Sequence, residues 1–114
     1  GLVWLLIGMT LGQVMGESGD HGQLPTHAHI MLVGGVLSLA WGLLLRVLNL
    51  PARLIAGLQA LTHHLGSLCM VLALYVLYGG MGEPATVGVF IGLGGVAVML
   101  SVLLMLMLVI RAKD

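Results

Sequence analysis

The chain has 114 residues, of which 60% are apolar and 7% charged, with four basic residues balancing four acidic ones. Soluble domains are about half apolar and about a quarter charged, so this composition excludes a soluble globular protein and makes lipid the solvent. The length allows one small domain, and zero net charge offers nothing to a nucleic acid.

In chain order, four apolar runs predict four helices, over 1–15, 24–48, 54–78 and 86–110. Crossing the hydrocarbon takes roughly 20 apolar residues. Backbone polar groups find no water there, so each run is helical. The first run is short for a span, which predicts further residues upstream of Gly1. It lacks a basic start and a small-x-small cleavage site, which argues against a signal peptide. The connections are short, so consecutive helices are antiparallel. The predicted fold is an all-α membrane protein, an up-down four-transmembrane-helix unit in a single domain. The single Cys69 excludes an intramolecular disulfide.

Charge gives an orientation. Arg46, Arg53, Arg111 and Lys113 fall on one side of this arrangement, and Glu17, Asp20 and Glu83 on the other. The positive-inside rule then places both termini in the cytoplasm. His21, His27 and His29 lie on the outer side, of a bacterial inner (plasma) membrane. Gly8, Gly12 and Gly16 on the first helix, and Gly88 and Gly92 on the fourth, are spaced for close helix contact.

The histidines carry the functional signal. His27-Ala28-His29 stands at the outer mouth of the second run. Imidazole placed in a membrane marks a functional site by default, and it is the commonest protein ligand for haem iron and copper. Residues two apart on a helix point about 200° apart, so a regular helix does not let this pair chelate one metal; an extended backbone near Pro25 does. With Leu24-Pro25-Thr26 as the helix start, Thr26 is a candidate N-cap and the two imidazoles face opposite flanks, each serving a separate site. The competing reading is a pair of interfacial histidines solvated by headgroups.

His63 and His64 fall about 16 Å into the third run, near mid-membrane. Adjacent residues point about 100° apart, so one of the two faces the interior. Either it is a ligand, or it is a neutral imidazole bonded to Thr10, Gln13 or Ser38. His27 and His63 differ in depth by roughly 20 Å, so one chain does not hold a haem between them. Met99, Met105 and Met107 are soft copper ligands by type, but read better as core filler. The stretch 16–22, GESGDHG, reads as a solvated turn.

His27-Ala28-His29 followed by IMLVGGV resembles subunit I of the haem-copper oxidases. In that family a helix carries His-x-His near its outer end, with a small residue eight positions after the first His, here Gly35. A His with Gly seven residues on, here His27 and Gly34, resembles the C-type members. Adjacent histidines, here His63-His64, also occur in the family as copper ligands. The family's twelve helices form three arcs of four, and this chain is one arc long.

The resemblance implies a C3 homotrimer in which each second helix offers His27 to one neighbour and His29 to the other. A bis-His haem b at each interface would make the protein an electron-transfer protein with a redox partner still to be identified. His63 and His64 are the candidates for any second metal. Two other classes compete. One is a membrane copper protein using His27, His29 and Met31. The other is a non-catalytic assembly subunit of a respiratory complex.

Overall fold

The computed structural model describes residues 1–50 and 53–112. Lys113, assigned above to the basic side, lies outside the described residues. The described residues form four helices: α1 (Leu2–Ser18), α2 (Leu24–Val47), α3 (Arg53–Tyr78) and α4 (Pro84–Ala112). No strand occurs among the described residues. Helices α2, α3 and α4, at 24, 26 and 29 residues, are long and apolar enough to cross a membrane, and α1 is a shorter apolar helix of 17 residues.

The ends of these helices follow from local chemistry. Gly19, in the left-handed region at φ 74°, closes α1 by donating its N–H to the Met15 carbonyl, an ending that glycine adopts without a Cβ penalty. Asp20 then accepts the Gly22 N–H on its carboxylate at 2.9 Å, which tightens the connection to α2. Gly80 and Gly82 turn the chain between α3 and α4 at φ 71° and 73°. Pro84 opens α4, where its missing N–H costs nothing.

Each helix packs on its neighbour in sequence, and α1 and α4 share no substantial contact. The registers are antiparallel. Gly1, which caps α1, and Gly8 and Gly12 within it meet Leu39, Ile30 and His27 of α2 in descending order. On α3, His63 meets Ser38 while Tyr75 meets Gln23. The molecule measures 51 × 30 × 15 Å, a flattened open arc with both broad faces uncovered rather than a closed bundle.

Its tightest seam joins α3 and α4, where Gly66 faces Gly94. A Cβ built on Gly94 would lie 2.7 Å from the Gly66 carbonyl oxygen, so the two backbones touch. Met70, Val71, Ala73 and Leu74 of α3 and Val87, Met105 and Leu108 of α4 are the buried apolar residues of these two helices. Large apolar side chains such as Leu54 and Val47 point outward, at 76% and 75% exposed, as lipid-facing residues do. The expected close-contact glycines are realised in part. Gly8 and Gly12 touch α2, whereas Gly16, Gly88 and Gly92 have nothing within 4 Å of a built Cβ.

One feature of α2 breaks the expected regularity: Ile30–Leu37 is π-helical. Its Gly34 and Gly35 are pressed by α1, with a Cβ on Gly34 falling 2.6 Å from the Trp4 indole and one on Gly35 overlapping Leu5. Wide π turns are rare and concentrate at functional sites. This one begins at the residue after His29.

Candidate histidine site at the start of the second helix

The first turns of α2 are clamped from both sides. Gln23, the residue before the helix, accepts the Thr26 hydroxyl on Oε1 at 2.6 Å and donates from Nε2 to the Tyr75 carbonyl of α3 at 3.0 Å. Thr26 is fully buried. It is not the N-cap expected from the sequence: the helix begins at Leu24 and the Thr26 hydroxyl is committed to the Gln23 side chain.

His27 leans on α1. Its Nδ1 lies 2.8 Å from the Gly8 carbonyl oxygen, and a Cβ on Gly12 would fall 2.9 Å from its Cε1. The bare glycine surface of α1 is therefore a seat for an imidazole. His29 takes a different acceptor, the Pro25 carbonyl one turn back on its own helix, at 2.7 Å from Nδ1. Both rings are half-buried.

These two bonds fix the tautomers. A carbonyl oxygen only accepts, so in each ring Nδ1 carries the proton, and the neutral imidazole keeps its lone pair on Nε2. In both rings backbone holds Nδ1–H, and Nε2 makes no hydrogen bond among the described residues. Histidines that bind metals characteristically hold their second nitrogen this way. Their acceptors differ, one on α1 and one on α2, and helix geometry sets the side chains about 200° apart.

His63 is in the opposite state. The Trp41 indole N–H, which only donates, points at His63 Nδ1 from 3.2 Å, so Nε2 carries the proton and donates to Ser38 Oγ at 2.9 Å. The Trp41 ring stands edge-on at 6.2 Å. His63 is 1% exposed and has no ring nitrogen left over. Of the three partners considered for it, Ser38 is the one used. Thr10 bonds to the Leu6 carbonyl and Gln13 to Glu17. His64 is exposed, 5.1 Å from the His63 ring, with the Trp4 indole N–H of α1 at a long 3.5 Å.

Among the described residues no three His, Cys, Asp or Glu side chains converge as a metal site. His21 is exposed and bonds to Gly19 in its own turn. The roles of Trp41 and Gly12 were not legible beforehand; the four-residue glycine spacing was the visible trace of the second. Removing the Ser38 hydroxyl strands a buried imidazole donor, so Ser38→Ala should lower unfolding stability by about 1–3 kcal/mol. Thermal denaturation in detergent measures this.

No model of a known protein family, no curated protein and no solved structure matches the chain.

Proposed function

We propose that this is a membrane haem b protein of electron transfer, in which His27 of one chain and His29 of the next hold each haem within a homotrimer. The observation that carries the reading is the shared arrangement of the two rings, Nδ1 held by a backbone carbonyl at 2.8 and 2.7 Å and Nε2 without a hydrogen bond among the described residues. A closed copper or zinc site needs three or four protein donors, whereas a porphyrin already supplies four and asks the protein for two axial ligands. Two imidazoles pointing apart on one helix give each chain half of two such sites.

When bound, haem supplies a one-electron Fe(III)/Fe(II) couple. What the chain supplies is orientation. Gly12 leaves room for the His27 ring, the Gly8 and Pro25 carbonyls hold the ring protons, and the Gln23 clamp ties this turn to α3. The uncovered faces of the arc are the surfaces on which further copies would pack. The resemblance to an arc of oxidase subunit I supports the same assembly.

The orientation follows from Arg46, Arg53 and Arg111, which sit at the ends of their helices opposite His27 and His29. That distribution supports placing the histidines on the outer side of a bacterial inner membrane. The test is an absorbance spectrum of the purified protein with iron quantified on the same sample. A Soret band with split, sharp reduced bands and stoichiometric iron is expected; protein that purifies colourless and takes up no added haem refutes the assignment.

A further inference from the structure

The turn between α1 and α2 lies against the end of α3. A Cβ built on Gly22 would meet the Tyr78 carbonyl oxygen at 3.9 Å, and the Gln23 amide is bonded to the Tyr75 carbonyl. A cavity of about 270 Å³ opens at this junction, with Ser18, Asp20, Gln23 and Tyr78 among its walls. A second cavity, of about 500 Å³, adjoins it along α1. Leu11, Val14 and Tyr75 line both. The second is of the size of a small-molecule site, roughly 300–1,000 Å³. It runs from Val14 down to Leu6, about 12 Å along the helix. Thr10 there spends its hydroxyl on the Leu6 carbonyl, so the α1 wall is apolar. The two cavities form one groove, polar at the helix ends and apolar below.

The helices set the sign of the polar end. α1 finishes there at Ser18 and α3 at Tyr78, and a helix C-terminus carries about half a negative charge. Asp20 adds a carboxylate. One of its oxygens accepts the Gly22 N–H at 2.9 Å, and a carboxylate accepts about four hydrogen bonds. α2 starts at the same place, but its Leu24 and His27 N–H groups are taken by the His21 and Gln23 carbonyls. Arg46, Arg53 and Arg111 lie at the opposite ends of their helices. The groove therefore suits a ligand with a cationic, hydrogen-donating head and an apolar body, and it repels an anion.

We propose that this groove binds a phospholipid with a primary-ammonium headgroup, the ammonium at Asp20 and the ends of α1 and α3, and one acyl chain laid along α1 past Tyr75. A primary ammonium brings three N–H donors to these acceptors, and hydrogen bonds between ionised partners are about twice as strong as neutral ones. A quaternary ammonium brings charge without donors, and a glycerol headgroup leaves the phosphate charge unbalanced. Tyr78, in the same cavity wall, carries a hydroxyl donor suited to the adjoining phosphate. The site is read from α1, α3 and the turn between α1 and α2, and it stands or falls separately from haem at His27 and His29.

The test is native mass spectrometry of the full chain in micelles holding equal amounts of phosphatidylethanolamine, phosphatidylcholine and phosphatidylglycerol with identical acyl chains. One phosphatidylethanolamine is expected to stay on each chain, preferred over either competitor by about tenfold, the scale of one charge-assisted hydrogen bond. Asp20→Asn keeps an oxygen for the Gly22 N–H and loses the charge, so it should bring the three lipids to near-equal retention. Val14 is 54% exposed and lines both cavities. Val14→Trp should therefore fill the groove and remove the retained lipid whatever its headgroup. Equal retention of the three lipids by the wild type, or an unchanged preference in Asp20→Asn, overturns the proposal. So does a Val14→Trp protein that holds the lipid as the wild type does.

Discussion

Replacing either His27 or His29 by alanine is expected to abolish the Soret absorbance while leaving the helix content of the purified protein unchanged. Each side chain makes one hydrogen bond to backbone, worth about 1 kcal/mol to folding, so the loss of stability is small. The loss of haem is complete in this account because each site draws one imidazole from each of two chains. A single substitution therefore removes a ligand from every site in the oligomer. Parallel His63→Ala and His64→Ala variants are expected to keep the haem, because His63 already spends both nitrogens on Trp41 and Ser38. Reduced-minus-oxidised spectra and circular dichroism on the same preparations decide the point. Retention of a full Soret band by either outer variant removes that residue from the site.

The second large effect concerns the seam between α3 and α4. A Cβ at Gly94 meets the Gly66 carbonyl oxygen and the Met70 nitrogen, both at 2.7 Å. These are backbone atoms of the facing helix, so the contact is relieved only by moving α3 away from α4. In lipid, helices hold together through such close packing rather than through expulsion of water. Gly94→Leu should therefore cost about 1–3 kcal/mol or more, the range of overpacked cores. Gly92→Leu is the control on the same helix. A built Cβ there has nothing within 4 Å, so the change should stay within about 0.5 kcal/mol. Thermal unfolding in detergent compares the two; equal melting temperatures contradict the assigned seam.

Much of this layout was legible because an apolar run in a membrane protein has few alternatives. The runs at 24–48, 54–78 and 86–110 appear as helices over Leu24–Val47, Arg53–Tyr78 and Pro84–Ala112, and the first run extends to Ser18. Helix periodicity also separated His27 from His29, and the structure gives them different acceptors.

Other features were hidden for physical reasons. A stretch as uniformly apolar as Ile30–Leu37 has no polar residues to mark the phase of the helix. Its Gly34 and Gly35 lie against Trp4 and Leu5 of α1, a contact between helices that no local pattern marks. The same holds for Trp41 and His63: their contact needs the register between α2 and α3, which no local pattern encodes. The Thr26 expectation failed because a cap was inferred from residue type, whereas the hydroxyl is claimed by Gln23, itself anchored on Tyr75.

The central claim is that each haem lies between two chains, one giving His27 and the other His29. Co-expression of His27→Ala and His29→Ala chains carrying different tags tests it most directly. Neither variant alone has a complete site. In a ring of three, every mixed trimer contains one junction where an intact His27 faces an intact His29. Random mixing should then restore about one quarter of the wild-type haem, all of it in doubly tagged trimers. A doubly tagged complex that remains colourless, or haem retained by either variant expressed alone, contradicts the account.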